Sequence, residues 1–406
     1  MSRADYFACL DIGTTKLSLL IARPSGDEAT EIEVLTHATV PCSGLSRGMV
    51  VDIEATVRAI RQAITQIQED SDYIVSQVVV GVSGNHVHAI HSHGIVPISN
   101  QEVQKIDVER VIEAAKAVAI PSNQSILHVL PQEFVVDDQA GVQKPIGMSG
   151  VRLEARVLMV TCADSALQNI VKCVERCGLH IQQVVLQHLA ESNCTLSTDE
   201  KDLGVCVLDI GGGTTNMTVF TQGFIRHVAV IPVAGEHVTN DIAMALRTPP
   251  KFAEEVKLNH GGMGPAYSGS ADFVEVENLA GSIPRRVAKS TLVEVIEARY
   301  QEIFYFVEKE LRKHGLESEI AGGFVITGGA ASLPGVQHLA QDAFEATVRI
   351  AKPTTSGCPA SLQEAKYTTL LGLFLQGCKS HANMQFGQGG MVQKLWRKVK
   401  NWLECL

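Results

Sequence analysis

The chain has 406 residues, of which 45% are hydrophobic and 19% are charged. This length and composition predict an ordered globular protein with two or more domains and exclude a disordered chain. Its formal net charge of -10 argues against nucleic acid as the main partner, because nucleic-acid binding requires an extended basic surface.

The N-terminal sequence and the cysteines indicate a cytoplasmic protein. The first predicted strand begins at Phe7, which leaves no room for a secretory signal peptide, and no apolar stretch reaches the roughly 18 to 20 residues that span a bilayer. The ten cysteines are scattered, and Cys9, Cys162 and Cys206 lie in apolar runs typical of strands, where a reduced thiol acts as a small apolar side chain.

The first strand ends in a turn suited to phosphate. Its candidate phosphate-binding residues are Asp11, Gly13, Thr14, Thr15 and Lys16. Small residues let the backbone fold tightly there, so that main-chain N–H groups and threonine hydroxyls can surround an oxyanion. One such turn is weak evidence, since an aspartate followed by glycine often only ends a strand.

The chain then alternates strands and helices before its character changes. The predicted elements are strands from Lys16 to Ala22, from Ile32 to Val40 and from Tyr73 to Val82, and a helix from Ile53 to Gln68. The apolar residues of the helix recur at a spacing near 3.6. From Gly84 to about Cys162, short strands and loops surround one helix from Val108 to Val118, which predicts an inserted α+β subdomain.

Four histidines lie close together at the start of this insertion, at His86, His88, His91 and His93. Strand alternation would place the first two on one face. Without a nearby carboxylate to complete a metal site, we interpret the group as part of a polar hairpin.

A second turn of the phosphate-binding kind follows an apolar strand that begins at Val205. Its candidate residues are Asp209, Gly211, Gly212, Gly213, Thr214 and Thr215. Two such turns predict two similar halves whose turns face each other across a cleft. Asp11 and Asp209 would then be available to hold a hydrated Mg²⁺ through its water molecules.

A third glycine turn follows the apolar strand from Phe324 to Thr327. Gly328 and Gly329, followed by Ala330, would let a flat base or a ribose approach the backbone, although an ordinary strand–loop–helix turn is the simpler explanation of this motif alone. The remaining predicted elements are helical segments from Val238 to His260, from Thr291 to His314 and from Lys366 to Leu375.

The C-terminal segment, residues 391–406, holds both tryptophans of the chain and predicts an amphipathic helix about 24 Å long. Its apolar stripe consists of Val392, Leu395, Trp396, Val399, Trp402, Leu403 and Leu406. Its basic residues are Lys394, Arg397, Lys398 and Lys400. Behind a flexible tether over residues 377–390, this pattern favours a helix that lies in an anionic membrane surface over one that docks on its own protein. Each basic residue adds about 1 kcal/mol near anionic lipid, so one tail should bind reversibly and several tails in an oligomer more firmly.

The three turns, in this order, resemble the actin, Hsp70 and sugar kinase superfamily. Within it, the chain resembles the FtsA family of actin-like bacterial division proteins from end to end. The segments that carry the resemblance are Ser46 to Ile53, His128 to Phe134, Pro145 to Arg152, Leu203 to Thr214, Thr248 to Pro250 and Thr327 to Ala331, besides the tail.

The resemblance implies a two-lobed, actin-like α/β fold with an inserted α+β subdomain and a C-terminal amphipathic helix. Its subdomains would be 1A over residues 1–83 and 164–199, 1C over 84–163, 2A over 200–240 and 306–376, and 2B over 241–305. ATP with Mg²⁺ would lie between the lobes, and the residues on its adenosine side would be Glu254, Lys257, Gly328, Gly329 and Ala330. An intrahelical ion pair explains Glu254 and Lys257 equally well.

The resemblance also implies the partners. The chain would polymerise head to tail on the cytoplasmic face of the inner membrane at the division site, bind the C-terminal tail of the tubulin-like FtsZ, and recruit later division proteins. Arg285 and Arg299 match the family positions implicated in FtsZ binding and could meet an acidic peptide. Without the family resemblance, the two residues could equally be ordinary solvent-exposed arginines.

Hydrolysis of ATP is expected to be weak or absent, because no residue stands out as a general base. The main rival interpretation is a small-molecule kinase or phosphohydrolase of the same fold, for which we find neither a catalytic carboxylate nor a substrate pocket. A second rival is another actin-like scaffold, such as a pilus-assembly adaptor or a cell-shape filament.

Overall fold

The computed structural model describes residues 6–25, 31–268, 272–277 and 285–386. The strands in these ranges are β1 Phe7–Ile12, β2 Lys16–Pro24, β3 Ile32–Pro41, β4 Leu45–Ser46, β5 Met49–Val50, β6 Gln77–Val82, β7 Val87–Pro97, β8 Gln124–Val136, β9 Gln139–Val142, β10 Arg152–Ala163, β11 His180–Leu186, β12 Val205–Ile210, β13 Thr215–Thr221, β14 Phe224–Ile231, β15 Phe273–Val276, β16 Arg285–Ala288, β17 Phe324–Thr327 and β18 Val348–Ile350. The helices are α1 Ile53–Asp70, α2 Lys105–Ala115, α3 Asp164–Glu175, α4 Gln187–Thr195, α5 Thr198–Leu203, α6 Gly235–Leu246, α7 Pro250–His260, α8 Pro265–Ser268, α9 Lys289–His314, α10 Val336–Phe344 and α11 Thr368–Phe386.

Two five-stranded sheets share one topology and define two lobes. The sheet of lobe 1 has the order β11-β6-β1-β2-β3, and that of lobe 2 has the order β18-β17-β12-β13-β14. In each, three antiparallel strands are continued by two parallel strands. Because the sheets match strand for strand, the turn after β1 and the turn after β12 occupy the same position in their lobes.

The central strands β1 and β12 are almost continuously apolar and buried, as expected for strands covered on both faces. Helix α1 covers the sheet of lobe 1 with an apolar face that includes Val57, Ile60, Ala63 and Ile67. It begins at Asp52, whose side chain accepts a hydrogen bond from the backbone N–H of Ala55.

The inserted segment forms a separate antiparallel sheet with the order β7-β10-β8-β9. Helix α2 packs against β7 and β10, where Val111 and Ala115 are buried with Leu153, Ala155 and Val157. The four histidines do not form a hairpin: His86 is buried before β7, while His88, His91 and His93 lie along β7, an edge strand paired with β10. The predicted two-lobed α/β fold with an inserted α+β subdomain is confirmed.

Helix α11 departs from two predictions. Sequence reasoning assigned residues 306–376 to lobe 2, but α11 packs on β1, β2 and β6 of lobe 1, where Leu370, Leu373 and Phe374 are fully buried. The predicted tether over 377–390 is helical as far as Phe386, because residues 378–386 contain neither glycine nor proline to end the helix.

Helices α11 and α4 cross at very short range. A side chain at Gly372 would overlap the backbone carbonyl of Ala190, so glycine is required at this crossing. Among the described residues, no helix has the length and apolar content needed to cross a bilayer. The predicted amphipathic helix over 391–406 lies outside the described residues.

Candidate functional site

The two turns predicted to bind phosphate face each other between the lobes. Each is closed by the same kind of hydrogen bond, from Gly13 N to Lys16 O at 2.9 Å and from Gly211 N to Thr214 O at 3.0 Å. The space beside Gly212 is filled by Thr15, whose Oγ1 would lie 2.7 Å from an added Cβ. Gly213 meets Thr14 of the other turn in the same way. The turns therefore approach one another as the sequence predicts for two facing halves.

Asp11 and Asp209 end the central strands of their sheets and are both buried. Burial raises the pKa of Asp11 to about 6, although Lys16 and a hydrogen bond from Gln187 act in the opposite direction. Burial likewise raises the pKa of Asp209 and lowers the pKa of Lys16. Because neither carboxylate is well solvated, a cation placed between the turns would stabilise both, and carboxylate oxygens are suitable ligands for hydrated Mg²⁺.

Two further polar side chains reach this pair from α4. Gln187 Nε2 donates to Asp11 Oδ1 at 2.8 Å. Glu191 hydrogen-bonds the carboxyl group of Asp209 and accepts from Asn216 Nδ2 at 3.3 Å. Burial raises the pKa of Glu191 well above its usual range, which favours the protonated form of this side chain.

Sequence reasoning missed both residues of α4. Gln187 and Glu191 are polar residues four positions apart on an otherwise buried helix, which places them on one face. That spacing was the available signal, but only the packing of α4 between the lobes brings the two side chains to the two aspartates.

The predicted adenosine-side residues gather around the start of α6. Lys257 Nζ donates to the carbonyl of Gly235 at 3.1 Å and forms an ion pair with Glu254 at 2.6 Å. An added Cβ at Gly235 would lie 3.3 Å from Cβ of Ala330 and 3.1 Å from the carbonyl oxygen of Gly211. The ion pair and the nucleotide interpretation of Glu254 and Lys257 are thus compatible, because the pair borders the phosphate turn.

The third turn also adjoins the predicted phosphate site. Gly328 has a φ of 92° and lies so close to Asp209 that any side chain there would overlap the carboxylate. Gly329 has no other atom within 4 Å of an added Cβ. Gly328 is therefore tightly packed against Asp209, whereas Gly329 has free space beside its backbone.

The two predicted partner-binding arginines both contact α6. Arg299 makes a bidentate pair with Asp241, with nitrogen–oxygen distances of 2.6 and 2.9 Å, and also pairs with Glu302. Arg285 donates to the backbone carbonyl of Leu246. Between these contacts, Met244 has 78% of its surface exposed. The arginines are therefore not freely solvated, and they flank an exposed apolar side chain.

The predicted membrane-binding residues, which are Val392, Lys394, Leu395, Trp396, Arg397, Lys398, Val399, Lys400, Trp402 and Leu403, lie outside the described residues.

Two protein-family models match the chain. The model described as "SHS2 domain inserted in FTSA" matches residues 84–161, and the model described as "Cell division protein FtsA" matches residues 206–372. The sequence of the cell division protein FtsA of Pseudomonas aeruginosa is 45% identical over 375 residues, which cover 92% of this chain and 89% of that protein. FtsA of Escherichia coli K12 is 40% identical over 405 residues, which cover 98% of this chain and 95% of that protein.

Solved structures with low sequence identity share the fold. A chain of the PilM–PilN type IV pilus biogenesis complex matches with a TM-score of 0.65 and 18% identity. The match covers 93% of this chain and 99% of that chain. MreB5 of Spiroplasma citri bound to ADP matches with a TM-score of 0.58 and 16% identity, and the match covers 95% of this chain and 100% of that chain. These likenesses establish the actin-like fold alone, whereas the family models and the relatives with full-length identity go further. The chain belongs to the FtsA family of bacterial cell division proteins.

Proposed function

We propose that this division protein binds ATP with Mg²⁺ between its lobes and polymerises on the cytoplasmic face of the inner membrane. There it would anchor FtsZ filaments and recruit later division proteins. The observation that carries the proposal is the pair of facing turns, each with a buried carboxylate at its strand end, in a chain of the FtsA family. The MreB5 structures with ADP and AMPPNP support nucleotide binding by this fold.

The residues of the chain divide the work of binding. The N–H groups and hydroxyls of the two turns would surround the phosphates, and Lys16 would offset their charge. Asp11 and Asp209 would hold Mg²⁺ through water molecules. When it is bound, the ion supplies charge neutralisation at the phosphates. Lys257 and Glu254 would lie beside the adenosine. The backbone of Gly328, Gly329 and Ala330 would also approach it closely.

Turnover is proposed to be slow. Gln187 and Glu191 are the additional polar side chains that adjoin the aspartates, but Gln187 is a neutral amide and burial raises the pKa of Glu191 well above its usual range, which favours its protonated form. Neither group can readily accept a proton from water, so ATP would act mainly as a ligand that sets conformation and assembly.

The membrane part of the proposal rests on the tail sequence and is tested by liposome co-sedimentation. The full chain and a version that ends at Gly390 are compared with anionic and with neutral vesicles, with and without ATP. We expect only the full chain to pellet, only with anionic vesicles, while both versions bind ATP equally. Equal pelleting of the two versions would refute the role of residues 391–406.

The FtsZ part is tested with a peptide of the FtsZ C-terminal tail. Replacement of Arg285 or Arg299 by alanine should weaken peptide binding, whereas Arg312→Ala, which removes an exposed arginine from the far end of α9, should not. Asp241→Asn separates direct contact from positioning, since it releases Arg299 without removing it. If all four variants bind the peptide like the parent chain, the assigned site is wrong, although nucleotide and membrane binding would stand.

A further inference from the structure

Three metal-ligating side chains converge in lobe 2, beside the inserted subdomain. Glu310 and His314 are four residues apart near the end of α9 and therefore project from one face of the helix. His227 reaches the same point from β14. Nε2 of His227 and Nε2 of His314 each lie 3.1 Å from the same atom, Oε1 of Glu310.

These distances suit a small divalent cation. Zinc binds imidazole nitrogen and carboxylate oxygen at about 2.0 to 2.2 Å in tetrahedral geometry, which separates neighbouring donor atoms by roughly 3.4 Å. Each nitrogen–oxygen pair is already close to that separation. Only small side-chain movements would be needed to place one ion among the three donor atoms.

The surroundings also favour a bound ion. His227 is 5% exposed, so its imidazole is largely shielded from water beside the carboxylate of Glu310. The imidazole rings of His227 and His314 are 4.0 Å apart between centroids, which keeps both near the carboxylate. Among the described residues, this is the group of histidine and acidic side chains whose donor atoms lie close enough to share an ion.

A cavity of about 410 Å³ opens beside the group and gives an ion a way in. Its lining includes Arg226, His227 and His314 of lobe 2 and His91, Gln132 and Arg156 of the inserted subdomain. Gln132 Nε2 donates to the carbonyls of residues 225 and 226 on β14, which leaves its Oε1 to accept from His91 Nδ1 at 3.2 Å. The inserted subdomain is thus hydrogen-bonded to the same strand that carries His227.

We propose that His227, Glu310 and His314 bind one Zn²⁺ ion, with water at the fourth position facing the cavity. Two imidazoles and one carboxylate form a donor set typical of zinc, whereas Mg²⁺ and Ca²⁺ prefer oxygen ligands alone. The ion would fix the end of α9 to β14, next to the point where the inserted subdomain is attached.

The proposal is tested on the full chain after removal of metals by a chelator. Zinc is titrated in competition with a chromophoric chelator, and Co²⁺ is used as a spectroscopic substitute. We expect one tight site per chain and visible cobalt absorption of a low-coordinate site. His314→Ala and Glu310→Gln should each lower zinc affinity by about 100-fold or more, because even changes next to a metal ligand cost 10- to 100-fold.

The matched control is His338→Ala, which removes an exposed histidine on α10 and should leave zinc affinity unchanged. Zinc should raise the melting temperature of the parent chain and of this control but not of the two site variants. Glu310→Gln conserves side-chain shape, so it gives a result even if His314→Ala fails to fold. Zinc affinity that is equal in the parent and in Glu310→Gln would overturn the proposal and leave a hydrogen-bonded cluster only.

Discussion

The imidazole of His188 is held neutral by complete burial between the lobes. It lies on α4 with none of its surface exposed, and its Nε2 donates to the carbonyl of Ala229 on β14 at 3.2 Å. Burial lowers its pKa to about 4, compared with about 6.5 when it is exposed. The unfolded chain therefore accepts a proton more readily than the folded chain, and stability is lost as the pH falls from 6.5 towards 4.

Replacement of His188 by glutamine should reduce this acid sensitivity. The amide retains an N–H donor for Ala229 but does not titrate, so the variant should lose about 1 kcal/mol less stability than the parent between pH 7.5 and pH 5.5. Urea unfolding at the two pH values measures the difference. His338→Gln, at an exposed position, serves as the control, and an unchanged pH dependence in His188→Gln would contradict the assignment.

The acidic cleft shows at the same scale what sequence can and cannot reveal. Asp11 and Asp209 were identified because each lies at the end of an apolar strand, just before a recognisable turn. Glu191 was not, since its role depends on the distance between α4 and β12, which no local pattern encodes. Its raised pKa arises from burial beside Asp209 and is a property of the packed molecule.

Helix α9 is the element that holds lobe 2 together. Its 26 residues bury one long face, including Ile296, Tyr300 and Phe304. Along its length it pairs with α6 through Arg299 and reaches the third glycine turn through Tyr300, whose hydroxyl donates to the carbonyl of Ala330 at 2.6 Å. It ends at Gly315, which adopts the left-handed conformation. The helix thus connects the proposed partner surface to the proposed adenosine side.

Tyr300→Phe should destabilise the protein by about 1 to 2 kcal/mol, because it removes a buried hydrogen bond without changing the shape of the ring. The urea unfolding midpoint measures the loss. Tyr305→Phe is a matched control on the same helix, since that side chain is 57% exposed and its change should stay within about 0.5 kcal/mol. Equal midpoints for the two variants would show that the bond to Ala330 contributes no stability.

The position and type of the long elements could be predicted from hydrophobic periodicity, but some boundaries could not. The helical segment expected over 238–260 is broken into α6 and α7, because Pro249 and Pro250 follow Thr248 and the second proline begins the new helix. That signal was present in the sequence. The extension of α11 into the expected tether was not marked by any apolar pattern and reflects helix propensity alone.

At the scale of the whole molecule, the two lobes meet through backbone and small side chains at the facing turns. Thr15 fills the space beside Gly212, and Ser83 of lobe 1 donates to Asn216 Oδ1 of lobe 2 at 2.6 Å. The matching topology of the sheets follows from repeated sequence patterns and was therefore predictable. The spacing of the lobes was not, because it is set by contacts between residues far apart in the chain.

Gly212→Ala should separate the turns and lower ATP affinity by about tenfold or more, since the new methyl group would lie 2.6 Å from Thr15 Cγ2. Calorimetric titration with ATP measures the loss, and circular dichroism should show a folded protein. Gly329→Ala is the comparison, because its methyl group meets no atom within 4 Å. Any loss of ATP affinity in that variant reports direct contact with the nucleotide. Parental ATP affinity in Gly212→Ala would exclude the facing turns as the binding site.

The close crossing of α11 and α4 at Gly372 lies where the chain passes between the lobes. Helix α4 leads out of lobe 1 towards β12, and the segment after β18 returns to lobe 1 through α11. Because the two segments that link the lobes pack against each other here, a rotation of one lobe against the other would be constrained at this crossing. The proposed membrane tail, residues 391–406, comes after α11 in the sequence, so a lobe rotation would change the direction in which α11 leads towards the lipid. Nucleotide occupancy and the angle at which the protein stands on the membrane would then be mechanically linked.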